Sequence, residues 1–340
     1  MKQKLKIGII GCGKQAEKHI LSLKKIPNIS LVLSDINLEI AENLAKKTGA
    51  SWTKNVEEIL NDPEVKAVVV CTPTPTHIGV IKKAINTKKD VFCEKPLCEY
   101  HQDPSELKEL IENTDRIVMI GYIYRFVPIF EEGYRLIKQQ NIEGISLVFG
   151  KVLSAFFRLG GRGSHQVWKH KKATGGGAIN EMLVHMIDLA NWYFGPLKDV
   201  EVISCDLCCP KRVINGEEVT VDAEDFVLIR CYGQNGVEIY CQADLITPAF
   251  SQYVEIQAEN GSFMGSIQPD MPSYIFLKES RGGYSVGKTN LNYGYRNIWD
   301  IQISTFIQAI LTKNQLDRNT VEDSIELQKV MQKIKRQVEK

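Results

Sequence analysis

The sequence predicts an α/β chain in two parts, a doubly wound parallel sheet followed by an α/β domain on a large, open, mostly antiparallel sheet. Three observations carry that expectation. Short apolar runs alternate with amphipathic stretches through the first third, the rhythm of strand–helix–strand units. From about Tyr122 onward, longer alternating runs succeed one another with turn residues between them, as in strands joined directly. A chain of 340 residues also exceeds the usual single domain, so a division into 1–122 and 123–340 is expected.

Residues 5–10 read as a buried strand that runs into Gly11-Cys12-Gly13-Lys14-Gln15-Ala16. Gly11-x-Gly13-x-x-Ala16 fits the glycine fingerprint of a dinucleotide-binding, Rossmann-type turn. Gly11 permits the tight turn, Gly13 lets the backbone approach a pyrophosphate, and Ala16 is small enough for helix–strand packing. A helix from 14 to about 25 opens there, so the backbone from Cys12 through Gln15 faces the phosphates. The second strand, 31–33, ends at Asp35, 24 positions beyond Gly11 (35 − 11). A carboxylate there accepts hydrogen bonds from ribose hydroxyls and repels a 2′-phosphate. Ile36 and Asn37 follow with no arginine, so NAD is expected in preference to NADP. Asp35 is equally placed to cap the helix starting at Leu38.

The rhythm continues with helical patterns at 38–47 and 56–60, a strand at 67–71, a helix at 78–86, a strand at 91–93, a helix at 105–113 and a strand at 117–120. Two prolines stiffen Thr72-Pro73-Thr74-Pro75-Thr76-His77, where Thr76 can cap the helix that His77 opens. This turn either lines a nicotinamide riboside or is an ordinary proline-stiffened connection. The strand 91–93 closes on Glu94-Lys95-Pro96. Ligands of open α/β sheets bind beyond the carboxyl ends of the strands, so Lys95 can reach the reacting end of a nicotinamide. Pro96 keeps Lys95 out of a following helical turn. Taken alone, Lys95 also reads as a surface lysine at a strand end.

In the second part, a helix is expected at 127–139 and strands at 146–157, 200–207, 224–231, 237–243, 253–258 and 274–277. Asn235-Gly236 marks a hairpin, and helices follow at 299–311 and 321–334. The chemistry concentrates in residues 175–188, GGGAINEMLVHMID, helical in pattern from 178 to 194. Glu181, His185 and Asp188 fall at i, i+4 and i+7 and so share one face. Ionisable groups on an apolar helix are costly to bury unless they pair or do chemistry. Histidine suits proton exchange with an alcohol oxygen. The alternatives are a satisfied core histidine or a metal site, and no further ligand cluster supports the metal.

Net charge is +1, which gives no general reason to expect nucleic acid or a membrane surface. No apolar run approaches the roughly 20 residues needed to span a bilayer. The N-terminus enters the first strand directly, leaving no room for a signal peptide. Nine cysteines, scattered mostly through apparent strands, read as buried thiols of a reducing cytoplasm. Cys205-x-x-Cys208-Cys209 lacks a second pair and reads as structural.

GIIGCG, CTPTPTH, EKP, GYIYRF and GGGAINEMLVHMIDLANWYFG resemble, in order and spacing, the glucose–fructose oxidoreductase / inositol dehydrogenase (Gfo/Idh/MocA) family. The resemblance covers nearly the whole chain and ends in TVEDSIELQKVMQKI, similar to that family's last helix. It implies an N-terminal Rossmann domain and a C-terminal α/β domain whose open sheet mediates homodimers or homotetramers. It further implies an NAD-dependent dehydrogenase acting on a secondary alcohol of a sugar, polyol or sugar derivative. Carried over, Lys95 holds the reacting hydroxyl or carbonyl and His185 is the acid/base. Glu94, Thr72, Pro73 and His77 line the nicotinamide riboside, Arg125 of GYIYRF joins the substrate contacts, and Asp188 anchors the catalytic helix. Many sugar and inositol dehydrogenases of the family have aspartate four residues before the histidine. Glu181 stands there in this chain, one methylene longer, which moves the carboxylate by roughly 1.5 Å. Glu181 is expected to grip a substrate hydroxyl, with inositol itself not implied. The alternatives are an NAD-using glycosidase and a non-catalytic NAD-binding sensor, and the joint presence of Lys95 and His185 argues against the sensor.

Residues 158–172 hold five Arg or Lys and two His among fifteen. Positive charge beside a cleft attracts anions, so an anionic substrate held by Arg158 or Arg162, with Trp168 beside it, is one expectation. A solvated loop is the other.

Overall fold

The computed structural model describes residues 4–140, 144–161, 165–268, 270–294 and 296–339, so Arg162 lies outside the described residues. In chain order, the first elements are β1 (Leu5–Ile10), α1 (Lys14–Leu23), β2 (Ile29–Ser34), α2 (Leu38–Thr48), β3 (Ser51–Thr53), α3 (Val56–Asn61), β4 (Val65–Val70) and α4 (His77–Asn86). Then come β5 (Asp90–Cys93), α5 (Ser105–Glu112), β6 (Val118–Ile120), α6 (Pro128–Lys138), β7 (Val152–Gly160), α7 (Val184–Phe194), β8 (Lys198–Asp206), β9 (Lys211–Ile214) and β10 (Glu217–Thr220). The last are β11 (Phe226–Tyr232), β12 (Glu238–Asp244), β13 (Ser251–Ala258), β14 (Gly261–Ser266), β15 (Tyr274–Leu277), β16 (Gly287–Asn290), α8 (Ile298–Thr312) and α9 (Val321–Val338).

The chain divides into two compact units, 1–126 with 297–328, and 127–296 with 329–340. In the first unit, six parallel strands run in the order β3-β2-β1-β4-β5-β6, the doubly wound arrangement expected from the sequence. Strands such as β4, VKAVVV, are nearly continuous apolar runs because helices cover both faces of a parallel sheet. Register aligns the strand ends. Ile10 pairs with Ser34 and Val70, Val70 with Cys93, and Cys93 with Ile120. Gly11, Asp35, Cys71, Glu94 and Gly121 therefore leave the sheet along one edge. Strand order reverses between β1 and β4, and that is where a crevice opens in such folds.

Beside the expected division at 122/123, the first unit also takes in α8 from the far end of the chain. Its Ile303, Phe306 and Ile307 are buried in one cluster with Ile20, Leu23 and Phe92. The Phe306 ring stands edge-on to Phe92 with centroids 5.9 Å apart, and Lys25 reaches Asp300 at 2.6 Å. Asn319, fully buried, donates to the carbonyls of Ile120 and Tyr122 at 2.7 and 2.9 Å, fixing the chain beyond β6.

The second unit carries an eight-stranded sheet, β16-β15-β14-β13-β7-β12-β11-β8, antiparallel except where β7 meets β12. Burial alternates along β11, β12 and β13, so each strand has one covered face. Helix α7 is buried on nearly all sides, Trp192 stacks on Tyr134 and Tyr193 meets Phe157 edge-on. The strand expected at 146–157 begins only at Val152. The Ser146 hydroxyl accepts from the N–H groups of Val148 and Phe149, and this local turn competes with extension. The Asn235-Gly236 hairpin is present, with both residues in the left-handed region. A second such turn, Asn215-Gly216 between β9 and β10, was not anticipated, nor were β3, β9, β10, β14 and β16 themselves. Among the described residues, no helix is long and apolar enough to cross a membrane.

Candidate active site

The edge of the first unit is shaped for a dinucleotide by backbone geometry. Gly11 has φ +89°, and a Cβ there would lie 2.7 Å from the carbonyl carbon and oxygen of Cys71. No other residue fits that crossing without shifting backbone. Gly13 is open on its outer side, with nothing within 4 Å of a Cβ, and it precedes α1 with no side chain capping the helix. Lys14 and Gln15 are exposed, so the helix N-terminus is accessible to phosphate. Asp35 accepts the Cys12 N–H at 2.7 Å through Oδ2 and the Asn37 N–H at 2.8 Å through Oδ1. Each oxygen retains a lone pair for a ribose hydroxyl. Asp35 does not cap α2. Asn37 does, accepting from Glu39 and Ile40. Burial, then the Asp35 charge, pushes the Cys12 thiol up to about 12, so it adds no negative charge beside the phosphate turn. A turn that only glycine can make, an open helix N-terminus and a half-buried carboxylate at the end of β2 together fit NAD.

The loops after β4 and β5 are tied together. Thr76 does not cap α4, because its Oγ1 bonds Thr72 Oγ1 and the Pro73 carbonyl inside a 3₁₀ turn, Thr74–Thr76. His77 is buried, with Nδ1 2.8 Å from the Pro96 carbonyl oxygen and Nε2 2.8 Å from that of Thr72. Carbonyls only accept, so a neutral ring serves one contact at a time and a doubly protonated ring serves both. The Lys95–Pro96 bond is cis. Lys95 is half-buried at the end of β5.

Glu94 turns toward the core side of this edge. Its Oε1 lies 2.6 Å from His19 Nε2 on α1, and its Oε2 accepts the Lys95 N–H at 3.3 Å. Burial works against the Glu94 charge, but the His19 hydrogen bond and charge, followed by Lys95, outweigh it and hold the carboxyl below its usual range. His19 is fully buried and edge-on to Phe92 at 4.8 Å. Its Nδ1 has no hydrogen-bond partner among the described residues, an omission that costs about 1–3 kcal/mol.

In the second unit, the glycine run joins a loop to a helix start. Gly175 has φ +72°. A Cβ on Gly176 would lie 2.5 Å from the Lys169 carbonyl oxygen, and Gly177, at φ +106°, donates to that same carbonyl at 2.8 Å. Glu224 receives the helix start. Its backbone carbonyl accepts from Ala178 at 2.8 Å and its carboxylate from Ile179 at 3.3 Å. This brings Lys169 Nζ within 3.2 Å of Glu181 Oε2, with the two side chains only 12% and 16% exposed. The expected continuous α-helix over 178–194 is interrupted, since Ile179–Leu183 is a π-helical turn and α7 starts at Val184. Such turns add a residue per turn and are frequent at functional sites. Glu181 therefore sits in the π-turn and half-buried His185 in the first turn of α7, while Asp188 is buried below them.

The basic residues are largely committed. Arg125 is 1% exposed and donates to Asp323 at 2.7 Å, an ion pair within the first unit. Arg158 donates to Asp244 and Thr247 at 3.3 and 3.1 Å. Trp168 is 43% exposed, with the Lys169 ammonium 5.5 Å from its ring centroid. Two residues of these sites escaped sequence reasoning. His19 follows Ala16 on the buried stripe of α1, where an ionisable residue among Ala16, Ile20, Ser22 and Leu23 was the available signal. Lys169 was counted only as charge in a basic stretch.

Two family profiles match the chain, "Oxidoreductase family, NAD-binding Rossmann fold" over residues 5–122 and "GFO/IDH/MocA C-terminal domain" over 146–264. The chain is 23% identical over 301 residues to the uncharacterized oxidoreductase YrbE of Bacillus subtilis, covering 84% of each chain. It is 25% identical over 261 residues to the myo-inositol 2-dehydrogenase of Thermotoga maritima, covering 76% of this chain and 74% of that one. Its fold is similar to that of a levoglucosan dehydrogenase in complex with NADH and levoglucosan, with a TM-score of 0.81 at 19% identity over 97% of this chain and 95% of that one.

Proposed function

The chain belongs to the Gfo/Idh/MocA family of NAD-binding oxidoreductases, and from that premise we propose that it interconverts a secondary alcohol and a ketone on a neutral sugar or polyol, preferring NAD to NADP. The observation that carries the reading is Lys95 at the carboxyl end of β5, on the edge shared with Gly11 and Asp35. When bound, the nicotinamide exchanges a hydride with the substrate carbon. The Lys95 ammonium stabilises negative charge developing on the substrate oxygen, the electrostatic contribution that is usually largest. His185 takes the hydroxyl proton in oxidation and returns it in reduction. Glu181, held by Lys169, accepts a hydrogen bond from a neighbouring hydroxyl.

A neutral substrate is favoured over an anionic one because Arg158 and Lys169 already face carboxylates. The names of the inositol and levoglucosan dehydrogenases among its relatives support the same class. A second copy of this chain is the expected partner. It would cover the sheet face on which Tyr240, Phe156 and Tyr253 form a ladder at 6.4 and 6.0 Å, and light scattering in solution reads the resulting mass. A reducing cytoplasm is the setting that suits nine free thiols.

The test is NADH formation by the purified protein across a panel of neutral sugars and polyols, uronates and sugar nucleotides. Turnover of a neutral member, reduced about 10²–10⁴-fold in Lys95→Ala and in His185→Ala, is the expected result. Preference for an anionic member, with a Michaelis constant that rises with salt, overturns the neutral assignment.

A further inference from the structure

We propose that His19 is a positioning residue for Lys95, acting through Glu94, so that the helix serving the dinucleotide phosphates also sets the catalytic lysine. The proposal rests on the catalytic reading of Lys95 given above. Four observations support it. The His19 Nε2 to Glu94 Oε1 separation of 2.6 Å is that of a charge-assisted hydrogen bond, in which the ring N–H donates to the carboxylate. The other Glu94 oxygen accepts the backbone N–H of Lys95, so the carboxylate fixes the segment that carries the ammonium. Helix α1 starts at the phosphate turn, which places His19 and the Gly13 end on one rigid element.

The fourth observation is the orphaned Nδ1 of a fully buried ring. The buried face of α1 also holds Ala16, Ile20, Leu23 and Ser22, and Ser22 is engaged by Asp300, so leucine at position 19 would fill the site with no polar atom to satisfy. Packing therefore does not require a histidine there, whereas Glu94 does. The ionisable groups facing Glu94 are His19, Lys95 and the thiols of Cys71 and Cys93, and burial pushes both thiols up so that they stay neutral. Without His19, burial acts against the Glu94 charge with only Lys95 opposing it, and protonation of the carboxyl is the expected outcome.

The experiment compares His19→Leu, His19→Gln and Lys95→Ala with the unmodified chain. In the cofactor-free protein at neutral pH, infrared spectra of His19→Leu should show the carbonyl stretch of a buried protonated carboxyl. The unmodified chain and the double variant His19→Leu/Glu94→Gln should both lack it. Turnover of His19→Leu should fall about 10- to 100-fold with NADH affinity within about threefold, the scale of roughly 1 Å misplacement at a reacting centre. His19→Gln keeps an amide donor near the Nε2 position and should retain turnover and show no band. If His19→Leu does not fold, His19→Asn, too short to reach Glu94, supplies the same contrast with His19→Gln. A folded His19→Leu or His19→Asn with unchanged turnover and no band, beside an inactive Lys95→Ala, overturns the positioning role. A Lys95→Ala variant that keeps its turnover overturns instead the catalytic reading on which the proposal rests.

Discussion

The two units arrive at their chemistry by different physical routes. In the first, backbone does the shaping, through strand register that aligns five exits along one edge and a glycine that no side chain could replace. In the second, long-range side-chain contacts do it. Lys169 meets Glu181 across a glycine run, and Glu224 receives a helix start 45 residues before it in the chain. The difference teaches that a cofactor platform can be fixed by short-range rules. A face assembled from distant side chains, such as the one proposed to meet substrate, can instead change its chemistry without disturbing the platform.

Exchanging glycines puts the contrast under the greatest stress. Gly11→Ala combines positive φ with backbone atoms at 2.7 Å and should abolish NADH binding while costing about 2–4 kcal/mol of stability. Gly177→Ala meets a carboxylate side chain that can move, and should cost about 1–2 kcal/mol for the left-handed backbone with NADH affinity intact. Denaturant unfolding and fluorescence titration of NADH measure both, and equal loss of NADH in the two variants would break the contrast.

Asp35 sharpens the platform side. NADH should bind more tightly than NADPH by about 1–3 kcal/mol, and Asp35→Ser should erase the difference. Equal affinities in the unmodified chain would remove Asp35 from the ribose site. On the other side, Lys169→Met should lower kcat/KM for the preferred polyol by about 1–2 kcal/mol, between the values for exposed and fully buried ion pairs. NADH affinity should not change, and an altered NADH affinity would show that the substrate face is not separable from the platform.

The smallest effect concerns acid. The Glu94 carboxyl is held below its ordinary 4.5 in the folded chain. Its charge therefore contributes stability that is complete above that value and is lost as pH falls through the lower folded one. Melting temperatures should drop more steeply on acidification below about pH 4.5 in the unmodified chain than in Glu94→Gln. Parallel curves would mean that the carboxylate is not stabilised by folding.

What could be read from the sequence follows the same divide. The Gly11 turn, Asp35 and the strand carrying Lys95 were legible because their signals are local, within a few residues of apolar run, glycine and turn. The caps were misassigned by short distances. Asn37 holds the position allotted to Asp35, which accepts from Cys12 and Asn37 instead, and Thr76 bonds Thr72 and the Pro73 carbonyl, since short polar side chains take local partners that periodicity does not record. The Lys169–Glu181 pair was not legible, because periodicity records which face a residue occupies and not which distant loop meets it. The π-turn at 179–183 was equally hidden, as a one-residue excess in a helix leaves the apolar pattern nearly unchanged. The Arg125–Asp323 pair was hidden as well, because the two residues lie 198 positions apart in the chain.

The discontinuous first unit has a consequence for synthesis. Phe306 packs on Phe92, and Asn319 holds the carbonyls of Ile120 and Tyr122. A ribosome that has finished Phe126 must add about 200 more residues before Gln328 exists, roughly 10–40 s at ~5–20 residues per second. For that interval the nascent sheet displays Phe92 and its neighbours uncovered, and its completion waits until residues 297–328 have been synthesised.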